Sequence, residues 1–146
     1  MKFAITLALV AAGMLFPGAA RAQEQTINAY VRALVEEAVD PGFETLVGEI
    51  QLEEIPEFDV YQVAYAIDPA KQYHVYAACD DDCLDIDLTA YGSDGAEIQS
   101  DDAADAMPML IISPYEAGNR LIVELEMSQC DADVCVFGIG LYEVWD

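Results

Sequence analysis

The sequence is poor in basic residues and in histidine. Its 146 residues include 28 acidic side chains, 5 basic side chains and 1 histidine, which gives a formal net charge of −23. Proteins that bind nucleic acid or anionic lipid need cationic groups to compensate the charge of those ligands. We therefore exclude both classes of partner. The length corresponds to one ordinary domain.

Long apolar runs are also missing. The apolar segment over residues 3–16 is shorter than the roughly 20 residues that a membrane-spanning helix needs. Lys2 precedes this segment, and the small residues Ala20 and Ala22 follow it. A basic start, a short apolar core and small residues at this spacing are typical of a secretory signal, here cut before Gln23. We expect a periplasmic or secreted protein without membrane insertion.

The four cysteines form two close pairs, Cys79 with Cys83 and Cys130 with Cys135. In an oxidising compartment such a set indicates two disulfides. Three connectivities are open, and we favour bonds within each close pair because each pair flanks one loop between strand-like runs. A zinc site built from the four thiolates is the alternative, although the spacings differ from the usual CxxC.

Apolar residues recur at helical spacing after the expected cleavage site. Thr26 is predicted to cap the helix, and the Asp40-Pro41-Gly42 stretch to end it. One amphipathic helix of this kind normally packs against its own domain. The apolar positions are Ile27, Tyr30, Val31, Leu34, Val35 and Ala38.

From Gly48 onward the apolar pattern has a period of two, which is typical of half-buried strands. About eight short strands separated by turns predict an antiparallel β-sandwich. We expect the acidic segment over residues 53–59 to be a loop. The predicted inward positions are Tyr61, Val63, Tyr65, Ile67, Tyr73, Val75, Ala77, Leu84, Ile86, Leu88, Leu121, Val123, Leu125, Met127, Phe137, Ile139 and Leu141. The predicted division is a signal peptide over 1–22, an N-terminal helix over 23–42 and an all-β domain over 43–146.

An ordered set of motifs runs from Tyr73 to Val144. It comprises Tyr73-His74-Val75-Tyr76, Cys79-Asp80, Cys83, Asp85-Ile86-Asp87-Leu88, Tyr91, Asp94-Gly95, Asp101, Pro108, Gly118, Met127, Cys130, Cys135 and the stretch over 137–142. This set resembles the bacterial pre-peptidase C-terminal (PPC) domain, and in particular its cysteine-containing variety in short exported proteins. The resemblance implies a jelly-roll-like β-sandwich on a secreted protein.

Two features depart from that family pattern. Leu121 stands where the family usually has an aromatic residue, and no peptidase domain precedes the module in this sequence. The family's usual role as an appendage to an enzyme is therefore not carried over. Some members bind calcium or extracellular polymers, so the resemblance makes these activities candidates here.

The sequence holds no recognisable catalytic motif. The sole histidine, His74, lies within a predicted strand, and no serine occupies a GxSxG elbow. Neither an HExxH motif nor a phosphate-binding glycine loop is present. Paired carboxylates suit glycosidase chemistry, but among 28 acidic residues such pairs carry little information. We expect His74 to be a strand residue with a satisfied ring, and we predict no catalytic residues.

Two acidic clusters suggest a calcium site. Hard cations such as Ca²⁺ prefer several carboxylate and carbonyl oxygens, and two acidic loops at one end of a sandwich would supply them. Neither cluster fits the EF-hand pattern, and we favour a solvated acidic surface, with the calcium site as the sharper hypothesis beside it. The candidate ligands are Asp80, Asp81, Asp82, Asp85 and Asp87 in the first cluster, and Asp101 and Asp102 in the second, with Asp105 beside them.

Aromatic residues offer another class of site, an exposed platform for a sugar ring or a peptide. Tyrosines in alternating strands are more often half-buried wall residues, which is the reading we favour. The residues concerned are Tyr61, Tyr65, Tyr73, Tyr76, Tyr91, Tyr142 and Trp145.

Taken together, these patterns indicate an exported, non-enzymatic β-sandwich module with a binding or structural role in the cell envelope or outside the cell. Ca²⁺ is the one candidate cofactor, and we expect no other. Candidate partners are an envelope protein, a secreted peptidase or a polymer. The alternative function is an accessory of a secreted peptidase, or a small hydrolase whose active groups are not recognisable.

Overall fold

The computed structural model describes residues 17–145, so the predicted apolar segment of the signal peptide lies outside the described residues. One helix precedes nine strands. The elements are α1 (Pro17–Glu37), β1 (Glu44–Leu46), β2 (Gln51–Ile55), β3 (Val60–Ala66), β4 (Tyr73–Cys79), β5 (Cys83–Tyr91), β6 (Glu97–Asp101), β7 (Met109–Ile112), β8 (Arg120–Cys130) and β9 (Cys135–Val144). The predicted all-β sandwich with an N-terminal helix is confirmed. Within residues 17–145, no helix is long and apolar enough to cross a membrane.

The strands form two antiparallel sheets. Sheet A has the order β1-β9-β4-β7, with β2 also paired to β9, and sheet B has the order β3-β8-β5-β6. Strands β1 and β2 lie along successive parts of β9, with Leu46 opposite Tyr142 and Gln51 opposite Ile139. Gly48 separates them with a positive φ of 79°, a conformation that glycine adopts without steric cost. Because of this break, residues 17–145 contain nine strands, against the predicted number of about eight.

The main core lies between the two sheets, where most of the predicted inward positions are found. Strand β8 shows the alternation directly, because Leu121, Val123, Leu125 and Met127 are each 0% exposed. The inward residues of β3 are only partly buried and pack against this core from the edge of sheet B. Period-two patterning therefore predicted the core strands correctly.

Two strand predictions were wrong. Leu84 is 46% exposed, because the pairing of β5 with β8 shifts register on both sides of Asp85. Such a bulge turns the affected side chain away from the face that simple alternation assigns to it. The segment over 53–59 is not wholly a loop, because β2 continues to Ile55 and the chain turns only from Pro56.

Helix α1 packs on the outer face of sheet A, as predicted for its apolar stripe. Val31 and Val35 are fully buried there. They approach β9 so closely that a Cβ on Gly138 would lie 3.1 Å from Val31 and 3.3 Å from Val35. A second apolar cluster fills this layer, formed by Val35, Ile50, Tyr76, Ala78 and Tyr142.

The start of the helix differs from the prediction. Within the described residues α1 extends back to Pro17, so Thr26 lies inside the helix and its hydroxyl donates to the carbonyl oxygen of Ala22 at 2.8 Å. A threonine hydroxyl often makes this bond to the preceding turn. Tyr30 is 43% exposed, and Ala38 follows the last helical residue, so neither belongs to the buried stripe.

Candidate functional site

Both disulfides lie at one end of the sandwich. The β4–β5 and β8–β9 connections each cross between the sheets at this end, and they carry the Cys79–Cys83 and Cys130–Cys135 bonds, with Cα–Cα distances of 5.8 and 6.0 Å. These are the bonds that the sequence analysis favoured. No cysteine within residues 17–145 is free, so the alternative reading as a four-thiolate zinc site is wrong.

The two bridged connections are also hydrogen-bonded to each other. The amide of Asp80 donates to the carbonyl oxygen of Val136, and the amide of Val136 donates to Asp80 Oδ2, each at 2.9 Å. The amide of Asp131 donates to the carbonyl oxygen of Asp82 at 2.8 Å. The disulfide end is therefore one cross-braced unit of two loops.

The predicted acidic loops converge at this same end. The amide of Asp105, in the β6–β7 loop, donates to Asp85 Oδ1 at 3.1 Å, and the amide of Ile86 donates to the carbonyl oxygen of Asp105. Within residues 17–145, no group of three or more acidic, histidine or cysteine side chains has an arrangement that would hold a metal ion. Calcium binding stays a prediction.

Several of the predicted calcium ligands are hydrogen-bond acceptors within the fold. Asp81 Oδ1 accepts the Tyr30 hydroxyl at 2.8 Å, and Asp87 Oδ2 accepts the Ser128 hydroxyl. Asp101 Oδ2 accepts the amide of Met109 at 2.9 Å. Asp82 and Asp102 have exposed side chains. The acidic residues therefore attach α1, β7 and β8 to their neighbours.

Two of these carboxyl groups have perturbed acidities. Burial raises the pKa of Asp80, although backbone donors, with Val136 foremost, act in the opposite direction. Burial and then the charge of Asp87 raise the pKa of Asp85. The folded protein therefore favours protonation of both groups more than the unfolded chain does.

His74 lies in an enclosed polar cluster on the outer face of sheet A. Its Nδ1 contacts Glu44 Oε1, and its Nε2 lies 3.1 Å from Gln72 Nε2. The Tyr76 hydroxyl donates to Glu44 Oε1 at 2.9 Å, and the Asp40 amide donates to Glu44 Oε2 at 3.0 Å. The side chains of His74 and Glu44 are only 15% and 5% exposed. Burial, followed by Glu44, raises the pKa of Tyr76.

The prediction of a satisfied histidine ring is confirmed. Glu44, the acceptor at the centre of the cluster, was missed by the sequence analysis. It lies 30 positions before His74, on β1, and only the pairing of β1 and β4 with β9 brings the two residues together. No local pattern in the sequence indicates this contact.

The strand tyrosines are half-buried or buried, as favoured, whereas Trp145 is 53% exposed. Lys71 Nζ lies 5.2 Å from the centroid of the Trp145 ring and 2.7 Å from Glu143 Oε1. These three residues line a cleft of about 250 Å³. Tyr115, which the sequence analysis did not select, is 75% exposed.

One side of the sandwich is closed by side chains. There β7, at the edge of sheet A, lies beside β6, at the edge of sheet B. Gln99 Oε1 accepts the amide of Ile111 at 2.7 Å, and Asp101 Oδ2 accepts the amide of Met109. Edge amides that already have acceptors are poor templates for a further strand.

The opposite side has a different edge. Strand β3 pairs with β8 on one side only, and the bond from the Ile67 amide to the Asn119 carbonyl oxygen extends that ladder. The pair Ile67–Asn119 is hydrogen-bonded, and hydrogen-bonded and non-hydrogen-bonded pairs alternate along an antiparallel ladder. Gln62, Ala64 and Ala66 therefore belong to non-hydrogen-bonded pairs, and their backbone N–H and C=O groups are directed away from β8. Within residues 17–145, no strand pairs with this edge of β3.

Comparisons with known proteins give a structural likeness but no family assignment. No family model matches the chain, and no curated protein matches it. A solved structure described as "Bacillus endospore appendages form a novel family of disulfide-linked pili" has 12% sequence identity and a TM-score of 0.40, and the match covers 74% of this chain and 96% of that chain. A likeness of this size carries no argument about function. The resemblance to the PPC domain stays a prediction.

Proposed function

We propose that the protein is an exported β-sandwich module that works by binding or structural support outside the cytoplasm. The observation that carries this proposal is the disulfide end, where both bonds brace the connections between the two sheets. Disulfides persist in oxidising compartments and are rare in the cytoplasm. The signal-like residues 1–22 and the resemblance to the exported PPC family agree with this assignment.

Two further observations support a binding or structural role without catalysis. The ring of His74 is enclosed by Glu44, Tyr76 and Gln72, which leaves little room for a substrate at either nitrogen. Asp85 and Asp101, at the acidic end, accept backbone amides and so hold loops in place. These groups are committed to the architecture of the domain.

Export and oxidation are tested together by expressing the full chain in a bacterial host. We expect the protein in the periplasm or the medium, with Gln23 as its first residue and with cysteines that resist alkylation until a reductant is added. As the matched control, Ala22→Leu should leave an uncleaved precursor, because signal cleavage needs a small residue at this position. A cytoplasmic product with four reactive thiols would contradict the proposal.

The absence of catalysis is tested separately with the oxidised protein. We expect no turnover of a panel of peptide, ester and glycoside substrates. Turnover that Glu44→Gln or His74→Asn abolishes, while the melting temperature stays within a few degrees, would favour the hydrolase alternative.

A further inference from the structure

The free edge of β3 differs from the edge that β7 forms on the other side of the sandwich. Its seven residues, Val60–Ala66, include no charged side chain and no proline, although the chain carries 28 acidic residues. Natural edge strands are usually protected by charge, proline, short length or a covering element. Strand β7 is only four residues long and has capped amides, whereas β3 has neither protection.

An exposed aromatic residue stands at the start of this edge. Phe58 is 71% exposed and has a φ of 66°, in the left-handed region that a residue with a large side chain rarely adopts. Its amide donates to the carbonyl oxygen of Met127 at 2.7 Å, which holds the chain in this conformation. The fold therefore presents an apolar side chain to solvent beside unpaired backbone groups.

The charge around the edge is mainly negative. On the outer face of sheet B, Glu126 lies opposite Val60 and Glu124 lies opposite Gln62. Glu57 and Asp59 are exposed beside Phe58. The cation at this edge is Arg120, which lies opposite Ala66 and, with Ala64, lines a cleft of about 300 Å³. Ala64 lies opposite Ile122 and therefore diagonal to Glu124 on the same face, so its small side chain leaves room for a long side chain of an incoming strand to reach toward that carboxylate.

We propose that the free edge of β3 binds an extended segment of a cationic protein, which adds as a fifth strand to sheet B. Main-chain hydrogen bonds to β3 supply the affinity, and Lys or Arg side chains directed toward Glu124 and Glu126 supply the selectivity. Pairing with a second copy is disfavoured, because it would bring two chains of net charge −23 together. The inference rests on the proposed binding function and names the partner class.

The test measures binding of labelled synthetic peptides to the oxidised protein recovered after export. We expect a peptide of alternating threonine and lysine to bind, and one of alternating threonine and glutamate not to bind. Binding should slow hydrogen exchange at the amides of Gln62, Ala64 and Ala66. Ala64→Pro removes a backbone N–H that faces away from β8, so the hydrogen bonds between β3 and β8 are kept. The affinity for the peptide should fall about tenfold or more, because one main-chain hydrogen bond to the added strand is lost.

A second set of variants separates strand addition from simple charge attraction. Ala64→Lys should weaken binding of the lysine peptide severalfold, and Ala64→Glu should strengthen it. These two variants test the proposal even if Ala64→Pro does not fold. The double change Glu124→Gln and Glu126→Gln should weaken binding at low salt. Glu97→Gln, at the opposite edge of the same sheet, is the matched control and should have little effect.

Two results would overturn the inference. If Ala64→Pro binds as tightly as the unmodified protein and Glu97→Gln weakens binding as much as the double change at Glu124 and Glu126, the attraction is unspecific charge. If the protein forms dimers without peptide and Ala64→Pro abolishes them, the occupant is a second copy. Absence of peptide binding by a correctly exported, oxidised protein contradicts this inference alone, whereas a reduced cytoplasmic protein contradicts the proposed function.

Discussion

Glu44 is expected to be one of the most sensitive positions for stability. Its carboxylate accepts bonds from the Tyr76 hydroxyl and the Asp40 amide and contacts His74 Nδ1, and its side chain is only 5% exposed. Glu44→Ala leaves these groups without their acceptor. Each unsatisfied buried polar group costs about 1–3 kcal/mol. Since Tyr76 and His74 both lose their acceptor, we expect Glu44→Ala to lower the free energy of unfolding by about 2 kcal/mol or more.

Glu44→Gln is the informative companion. A glutamine offers one acceptor oxygen in place of two, so it keeps either the contacts with Tyr76 and His74 or the bond from the Asp40 amide, and loses the other. The cost should therefore be about 1 kcal/mol, the net value of one hydrogen bond. Urea unfolding of the oxidised protein, followed by circular dichroism, measures both variants. The exposed Glu49→Ala serves as the control, with a change within about 0.5 kcal/mol. A loss below about 1 kcal/mol for Glu44→Ala would refute this account of the cluster.

Further predictions concern the helix, the disulfide end and the acidic loops. Val35→Ala should lower the free energy of unfolding in urea by about 2–3 kcal/mol, because it leaves a cavity at a fully buried position between α1 and sheet A. The control Glu37→Ala, at an exposed position, should change this free energy little. Equal effects of the two variants would contradict the packing of α1. Replacing either cysteine pair by serine should cost about 2 kcal/mol, since the closed loops are short, and an unchanged unfolding midpoint would argue against the bond concerned. The raised pKa values of Asp80 and Asp85 mean that protonation favours the folded state, so stability should rise as the pH falls from neutral toward about 4, the ordinary aspartate value. Asp80→Asn should be no less stable than the parent protein at neutral pH, and its stability should increase less on acidification. A melting temperature of the parent protein that falls steadily as the pH is lowered would contradict this prediction. A thermal melt in CaCl₂ checks the calcium prediction. Specific binding raises the midpoint with the logarithm of the Ca²⁺ concentration above the dissociation constant, and it adds about 2.7 kcal/mol of stability at 100 times that constant. An equal increase in NaCl of matched ionic strength would reject the prediction.

The parts of the fold that the sequence predicted are those with a local signal. Alternation in β8 and β9 follows from burial of one face, so each strand can be recognised within its own residues. The wrong predictions mark places where a distant contact overrides the local pattern. Leu84 is turned outward by a bulge in the β5–β8 pairing, and residues 53–55 become a strand because β9 offers them an edge.

The candidate sites divide in the same way. The disulfide pairing was predicted because each bond joins cysteines four or five positions apart. The Glu44–His74 cluster and the free edge of β3 could not be predicted, since both depend on which strands become neighbours in the sheets. The convergence of the acidic loops was anticipated, but the use of Asp85 and Asp101 as amide acceptors depends on the positions of the β6–β7 loop and β7.

The position of β9 has a consequence for the order in which the domain can form. This last strand is central in sheet A, where it pairs with β1, β2 and β4 and supports α1 through Gly138. Helix α1 therefore has no complete docking surface until β9, which follows it by about a hundred residues, has joined the sheet. Under the export proposed above, this arrangement delays docking of the helix until β9 has emerged on the far side of the membrane.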